Sequence, residues 1–323
     1  MKLPIIDLHC DTIYQLYTHP QSTLAHNQFQ LDLPKMQKAN YLLQNFAVFI
    51  DKNEFTHPYQ TALAMIQRFK AELAKNRHAI QQVTCYDDIL SNQQTNKISA
   101  LLTLEGGEII EGNLGYLEHL YTLGARMMTL TWNYPNSIGF PNSIYWQANT
   151  QQLCLDQEGL TNFGIEVVEK MNQLKMIIDV SHGSDQLVLD VLKHSHQPIV
   201  ASHSNARGLC KHPRNLSDDL LRQIANHQGL VGINFYEYFL KDPASNQHLT
   251  DAVIDHIKYI TNLIGTDHLA FGSDFDGISV HPDLPNAEIF PIFIQKLQKA
   301  GFSSSEIEKI FYRNVLQFYK ENL

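Results

Sequence analysis

Acidic residues and histidines follow several short apolar segments of this sequence. Glu105 ends the segment Leu-Thr-Leu-Glu and precedes two glycines, which let the backbone turn sharply. His182 and His203 each follow an apolar run and a serine. One residue separates His9 from Asp11, so in an extended backbone both side chains point to the same side. Imidazole nitrogens combined with carboxylate oxygens suit zinc, and they also accept manganese or cobalt.

The same residues can be divided into two half-sites that share one ligand. A carboxylate can bridge two cations, whereas an imidazole cannot, so Glu105 is the candidate bridge. His9 and Asp11 would then complete one half-site, and His182 and His203 the other. Taken singly, each residue also has a structural interpretation: Glu105 could accept loop N–H groups, and each histidine could be hydrogen-bonded in the core. The presence of all five favours a two-metal centre.

Two further segments contain candidates for acid–base chemistry and substrate binding. Asp274, in Phe-Gly-Ser-Asp-Phe-Asp-Gly, is the predicted general acid/base. Asp276 precedes a glycine in a good turn dipeptide, so we assign it mainly to structure. Arg214, in Lys-His-Pro-Arg-Asn, can clamp a substrate carboxylate through two parallel hydrogen bonds, or it can be a solvated surface residue.

Eight short segments rich in β-branched or aliphatic residues alternate with stretches of helical periodicity. This alternation predicts an α/β fold of the (β/α)8 TIM-barrel type. In such a barrel the carboxyl ends of the strands meet at one rim, where active sites are built. The polar residues described above stand at those ends, so the fold would bring them together. The predicted strands are 5–9, 45–50, 100–105, 126–132, 176–182, 199–203, 230–235 and 268–274.

Apolar residues at spacings of three and four predict helices over residues 60–75 and 162–174. Ser217 is the predicted N-cap of another helix. No linker, low-complexity tract or internal repeat interrupts the chain. We therefore expect a single barrel domain, residues 1–323.

Two longer segments lack a regular pattern, 133–160 after the fourth strand and 236–249 after the seventh. Long loops at these places usually cover the active face of a barrel, so both are predicted to border the site. Tyr236, at the start of the second loop, is assigned to substrate binding.

Composition excludes several functional classes. The 323 residues include 33 acidic and 24 basic side chains, a formal net charge of −9, which disfavours nucleic-acid binding. No apolar run approaches the roughly 18 residues of a membrane span, and Asp7 interrupts the first apolar stretch too early for a signal-peptide core. The four scattered cysteines are expected to be unpaired thiols. We therefore expect a cytoplasmic protein that does not associate with membranes.

The ordered set of motifs resembles the membrane dipeptidase family, also called renal dipeptidases, which are dizinc hydrolases with an amidohydrolase-like barrel fold. The resemblance extends from Asp7 to about Gly277, nearly the whole chain. Each motif is weak alone, whereas the ordered set is highly specific. The motifs are Asp-Leu-His-Cys-Asp at 7–11, Leu-Glu-Gly-Gly at 104–107, Ile-Asp-Val-Ser-His at 178–182, Ala-Ser-His-Ser at 201–204, Arg-Asn-Leu-Ser-Asp at 214–218 and Gly-Ser-Asp-Phe-Asp-Gly at 272–277.

The resemblance implies two Zn2+ ions per chain, with Mn2+ or Co2+ as substitutes. Each ion would have three protein ligands, one of them shared. The implied ligands are His9, Asp11 and Glu105 for one ion, and Glu105, His182 and His203 for the other. This division agrees with the half-sites inferred from the residues alone.

The resemblance also implies how a dipeptide is bound and cleaved. Arg214 would hold the C-terminal carboxylate of the substrate, and Asp274 would act as acid/base beside a metal-bridging hydroxide that Glu105 helps to hold. Homodimerisation is a further expectation from the family. The alternatives are another dimetal amidohydrolase, acting on a lactam or an N-acyl amino acid, and a non-catalytic barrel that binds a small molecule.

One position departs from the family pattern. Members related to the kidney enzyme have, after the fourth strand, a histidine that contacts the reacting carbonyl, whereas this chain has Trp132 in Thr-Leu-Thr-Trp-Asn. An indole donates one hydrogen bond but cannot take up a proton. Trp132 is therefore predicted to contact the substrate and to position an oxyanion without serving as an acid.

Overall fold

Eight parallel strands close into a barrel in the structure, a computed structural model that describes residues 3–147, 152–154 and 157–323. The strands in these residues are β1 (Ile5–Asp7), β2 (Tyr41–Phe49), β3 (Ile80–Val83), β4 (Ile98–Glu105), β5 (Ala125–Thr129), β6 (Trp146–Gln147), β7 (Gln152–Leu153), β8 (Ile177–Asp179), β9 (Val200–Ala201), β10 (Leu230–Ile233) and β11 (Leu269–Phe271). The barrel order is β2-β1-β11-β10-β9-β8-β5-β4, and pairing of β2 with β4 closes the ring. The predicted (β/α)8 barrel is confirmed.

Helices connect the strands and surround the barrel. They are α1 (Thr12–Thr18), α2 (Leu33–Ala39), α3 (Pro58–Lys75), α4 (Tyr86–Gln94), α5 (Leu114–Thr122), α6 (Asn162–Leu174), α7 (Asp185–His194), α8 (Asp218–Asn226), α9 (Glu237–Leu240), α10 (Leu249–Ile264), α11 (Phe290–Lys299), α12 (Ser304–Glu308) and α13 (Asn314–Asn322). The predicted bounds of α6 are confirmed, and α3 begins two residues early because Pro58 suits a first helical position. Ser217 caps α8 as predicted. Within the described ranges, no helix has the length and apolar character to cross a membrane.

Strand β3 is absent from the predicted strands because only Ile80 and Val83 are apolar in it. It pairs with the first half of β4, residues 98–101, on the side where β5 pairs with residues 102–105. β3 therefore fills the space beside the amino-terminal half of β4, where β5 makes no ladder. This extra strand lies away from the carboxyl ends of the barrel strands.

The two segments predicted as irregular loops contain short regular elements. A 3-10 turn at Asn142–Tyr145 precedes the antiparallel pair β6–β7, and aromatic residues such as Trp146 favour such strands. Residues 148–151 and 155–156 of this segment lie outside the described residues. The segment after β10 contains α9. Both follow barrel strands, and both contribute side chains to the cavity described below.

Helix α13 closes the amino-terminal end of the barrel. Asn314 donates hydrogen bonds to the carbonyls of Thr266 and Leu269, at the start of β11. Tyr319 is buried and donates to Asn45 Oδ1 of β2 at 2.8 Å. Residues of α13 belong to the same apolar cluster as the interior strand residues, which include Ile6, Leu8, Leu43, Leu101, Met127, Ile177, Val200 and Leu230.

Replacing Tyr319 with Ala should lower the free energy of unfolding by about 3–5 kcal/mol, because it opens a cavity in the floor of the barrel. Tyr319→Phe removes only the hydrogen bond to Asn45 and should cost about 0.5–1.5 kcal/mol. Chemical denaturation of the purified variants measures both effects. The exposed neighbour Lys320 provides the control, since Lys320→Ala should stay within about 0.5 kcal/mol of the native protein. A similar loss in Tyr319→Ala and Lys320→Ala would contradict the packing described.

Candidate active site

The polar residues predicted to form the site follow the barrel strands, but most of them lie just beyond the strand ends. Glu105 is the last residue of β4 as predicted, whereas β1 and β8 end two and three residues before His9 and His182. His182 and Asp274 have left-handed backbone conformations, with φ of 68° and 64°. Such a conformation ends the strand ladder and costs a non-glycine residue about 1–3 kcal/mol. It turns both side chains away from the direction they would have in an extended strand.

Glu105, His182 and His203 converge above the barrel interior. His182 Nε2 lies 3.1 Å from Glu105 Oε1 and 3.1 Å from His203 Nε2. His203 Nε2 lies 3.6 Å from the same carboxylate oxygen. All three side chains are buried. Two imidazole nitrogens and a carboxylate oxygen therefore face one another with little access to water.

The second nitrogen of each imidazole fixes its tautomer. His182 Nδ1 donates to Asn133 Oδ1 at 2.9 Å, since an amide oxygen can only accept. Ser202 Oγ donates its single proton to Asp179 Oδ2 at 2.5 Å, so it accepts from His203 Nδ1 at 2.7 Å. Burial lowers the pKa of both histidines well below the usual value, which keeps the rings neutral. Each ring therefore has a lone pair on Nε2.

A second group of candidate metal ligands surrounds His9. Its Nε2 lies 3.3 Å from Glu105 Oε2, 3.4 Å from Asp11 Oδ2 and 3.8 Å from Asp274 Oδ1. In the described part of the chain, neither nitrogen of His9 has a hydrogen-bond partner, and Asp11 Oδ1 has none either. Two groups of three residues have candidate ligand atoms within 4.8 Å of one another. One group is His9, Glu105 and His203, and the other is His9, Asp11 and Asp274. Buried carboxylate oxygens and imidazole nitrogens that face one another fit cations, so these residues suit metal ions.

Asp274 lies between the metal-ligand candidates and the open cavity. Its Oδ2 accepts a hydrogen bond from Asn234 Nδ2 at 2.8 Å. Burial and the acidic neighbours raise the pKa of Asp274 to about 7, against the lowering effect of His9. A Cβ atom at Gly277 would come within 2.0 Å of Asp11 Oδ2 and 2.9 Å of Asp274 Oδ1. Glycine at this position therefore lets the loop pass directly beside both carboxylates.

Arg214 is buried, and most of its hydrogen-bonding capacity is unused. Nη2 donates to the carbonyl of His203 at 3.2 Å, whereas Nε and Nη1 have no partner among the residues that the structure describes. The guanidinium carbon lies 5.4 Å from the centre of the Phe239 ring. Burial lowers the pKa of Arg214 to about 10, so the group stays charged at neutral pH. A buried cation with free donors is suited to bind an anion.

One cavity of about 600 Å³ connects Arg214 with the metal-ligand candidates. Trp132 lines it, with its ring 6.3 Å from that of His182, and Tyr236 lines it while packing against Phe239 at 4.8 Å. A cavity of this size suits a small molecule. The structure therefore brings together all the residues that the sequence suggested for the site.

The sequence model of the membrane dipeptidase family, peptidase family M19, matches residues 1–322. The chain belongs to this family. A protein of Schizosaccharomyces pombe described as an uncharacterised dipeptidase is 31% identical to this M19 peptidase over 338 residues, which cover 98% of the chain and 80% of the relative. The protein is therefore an enzyme that hydrolyses peptide bonds.

Solved structures of M19 peptidases have the same fold. The dipeptidase AC, a metallopeptidase of family M19, has a TM-score of 0.91 at 24% identity, over 100% of this chain and 99% of that chain. A metallopeptidase from Rhodobacter sphaeroides, liganded with a phosphinate mimic of the dipeptide L-Ala-D-Ala, has a TM-score of 0.91 at 23% identity, over 100% of both chains. Both comparisons show that this M19 peptidase has the fold of these metallopeptidases.

Several residues hold the site residues in position, but the sequence motifs do not reveal this role. Asn133 and Asn234 contact their partners across 49 and 40 residues of chain, so no local spacing reveals them. Ser202 and Gly277 lie inside recognised motifs but have no signal of their own. Asp179 does have one, because a carboxylate inside the apolar run Ile-Ile-Asp-Val is costly to bury unless it is hydrogen-bonded.

Replacing Ser202 with Ala should lower the affinity of this M19 peptidase for metal by about 10- to 100-fold, because His203 Nδ1 loses the acceptor that fixes its tautomer. Competition with a chelator measures the affinity. Ser204→Ala is the matched control, since the Ser204 hydroxyl is buried next to the same histidine but has no hydrogen-bond partner within the described ranges. If both variants bound metal equally well, the proposed role of Ser202 would be wrong.

Proposed function

We propose that this chain is a single-domain dipeptidase that uses two zinc ions to hydrolyse free dipeptides. The position of Arg214 is the observation on which the proposal rests: a buried guanidinium with unused donors shares a cavity with a cluster of metal-ligand candidates. A free dipeptide has a carboxylate one residue away from its only peptide bond, so it matches both features. The dipeptide mimic bound to the R. sphaeroides relative supports this choice of substrate.

The two ions would share Glu105, because its two oxygens face different histidines. Oε2 lies 3.3 Å from His9 Nε2, and Oε1 lies 3.1 Å from His182 Nε2. When bound, the ions supply Lewis acidity, which lowers the pKa of water and polarises the peptide carbonyl. Zinc suits these mixed donors, and manganese or cobalt can replace it. The proposed ligands are His9, Asp11 and Glu105 for one ion, and Glu105, His182 and His203 for the other.

Arg214 would bind the C-terminal carboxylate of the dipeptide. The second proton of Nη2, together with either Nε or Nη1, can form two parallel hydrogen bonds with a carboxylate, which would fix both the position and the orientation of the substrate. A third residue on the C-terminal side would move the carboxylate away from this position. The clamp therefore restricts turnover to dipeptides.

Asp274 would transfer the proton during hydrolysis. Its Oδ1 faces His9, and its Oδ2 is held by Asn234, so the carboxylate is oriented between the metal-ligand candidates and the cavity. As general base it takes a proton from the attacking water, and as general acid it gives that proton to the leaving amine.

Trp132 and Tyr236 would complete the contacts with the substrate. The indole N–H of Trp132 can donate a hydrogen bond to the carbonyl oxygen of the scissile bond as negative charge develops there. Asn234 Oδ1 accepts the backbone N–H of Tyr236 at 2.6 Å and so fixes the start of the loop that carries its ring into the cavity. Trp132 positions the oxygen without supplying a proton.

Metal-loaded native protein should hydrolyse free dipeptides and should turn over C-terminally amidated dipeptides poorly. Arg214→Met should raise KM or abolish turnover of the free dipeptides, because a hydrogen bond to a charged group contributes about 1.5–3 kcal/mol. Steady-state kinetics with both substrate types, together with elemental analysis of the protein, tests these expectations. Equal turnover of free and amidated substrates would exclude a carboxylate clamp, and no turnover of any dipeptide would exclude the proposed function.

Asp274→Asn should retain two metal ions and lose about 10²- to 10⁴-fold in kcat, because it removes the group that carries the proton. Asp51→Asn is the matched control, since Asp51 lines the same cavity but has no proposed role. Elemental analysis separates the two roles open to Asp274, which lies within ligand distance of His9 and Asp11. Release of metal by Asp274→Asn, or a kcat within a few-fold of native, would remove Asp274 from the proton transfer.

A further inference from the structure

His212 lies in the loop after β9, two residues before Arg214, and lines the same cavity. Its ring centre is 4.5 Å from that of Phe239 and 6.0 Å from that of Trp146. The three rings therefore form an aromatic wall around one end of the cavity. Neither the sequence motifs nor the proposed mechanism gives His212 a role.

A backbone hydrogen bond fixes the tautomer of His212. The N–H of Arg214 donates to His212 Nδ1 at 3.2 Å, so Nδ1 must carry a lone pair. A neutral imidazole then has its proton on Nε2. This bond at Nδ1 is the one hydrogen bond that the described residues make with the ring, so the Nε2–H donor is available to a ligand.

The His212 ring stays neutral under ordinary conditions. Burial, together with the positive charges of Arg214 and Arg207, lowers the pKa of His212 to about 4. At neutral pH the cavity therefore holds one charged donor, the guanidinium, and one uncharged donor from His212. Because His212 is uncharged, its N–H can orient a bound anion without the repulsion that a second cation beside Arg214 would cause.

Arg214 and His212 both lie beside the ring of Phe239. The guanidinium carbon of Arg214 is 5.4 Å from the centre of Phe239, and the His212 ring is 4.5 Å from that centre. A carboxylate has two oxygens with about four lone-pair positions, so it can accept from Arg214 and from a neighbouring N–H simultaneously. Both groups therefore lie beside Phe239, at the same end of the cavity.

We infer that His212 Nε2–H is a second donor to the C-terminal carboxylate of the substrate and acts together with Arg214. The inference rests on the proposed dipeptidase function and adds a specificity-determining residue to it. His212 would fix the angle at which the carboxylate enters, while the aromatic wall excludes water from the ion pair.

Three variants separate this role from a purely structural one. His212→Asn keeps an acceptor near the position of Nδ1 but has no donor at Nε2, and His212→Gln keeps a donor near Nε2. His212→Phe keeps the aromatic packing and loses both polar atoms. The exposed neighbour Lys211 provides the control variant Lys211→Ala.

With L-alanyl-L-alanine, we expect the Asn and Phe variants to raise KM by about 10- to 100-fold while kcat changes less, because a hydrogen bond to a charged carboxylate is lost. His212→Gln should recover much of the native KM, and Lys211→Ala should match the native protein. L-alanine ethylamide, which has no carboxylate, should show no difference between native and His212→Asn. The effects of Arg214→Met and His212→Asn should be less than additive, since both act on one carboxylate.

Calorimetric binding of a phosphinate mimic of Ala-Ala provides a readout that does not require turnover. The Asn variant should bind this mimic about 10- to 100-fold more weakly than the native protein. Native turnover of dipeptides with unchanged KM and mimic affinity in His212→Asn and His212→Phe would overturn the inference and leave the function intact. Absence of dipeptide turnover in the native protein, with mimic binding that still depends on His212, would overturn the function and leave the anion contact intact.

Discussion

Two imidazole lone pairs and a carboxylate oxygen are buried within 3.6 Å of one another, and this arrangement is unfavourable without a cation. Much of the surrounding structure serves to keep it in place. Asn133 and Ser202 hold the two rings in the tautomer that directs both lone pairs inwards. The left-handed turn at His182 aims one of the rings. The fold therefore maintains an unfavourable geometry that would become favourable only when metal binds.

Two buried aspartates in the barrel hold this geometry through the same pattern of hydrogen bonds. Asp179 accepts the backbone N–H and the hydroxyl of Ser202, at 2.9 and 2.5 Å. Asp7 accepts the corresponding two groups of Ser273, at 2.8 and 2.6 Å. Each serine directly precedes a site residue on a neighbouring strand, so a buried carboxylate in the barrel interior orients the turn that carries it. Burial raises the pKa of Asp7 to about 6 although Ser273 opposes the shift.

The sequence was sufficient for the barrel and for the residues at its rim, because strand periodicity and motif order are local signals. The exact strand ends were not predictable: β1 and β8 stop before His9 and His182, where left-handed and irregular backbone replaces the ladder. β3 was missed because two apolar residues are too weak a pattern. The partners of ring nitrogens, such as Asn133, depend on which loops meet in space, and a single sequence does not encode that locally.

The hydrogen bonds between Asp7 and Ser273 join groups 266 residues apart, and β1 pairs with β11. Asp7 lies in the first barrel strand to leave the ribosome, so it cannot form its hydrogen bonds with Ser273 until the last barrel strand has been synthesised. At synthesis rates of about 5–20 residues per second, the delay is on the order of tens of seconds. During that time Ile5 and Ile6 have no completed barrel to cover them. His9 and Asp11 follow that same strand, so the cluster of candidate metal ligands is complete only after translation of nearly the whole barrel.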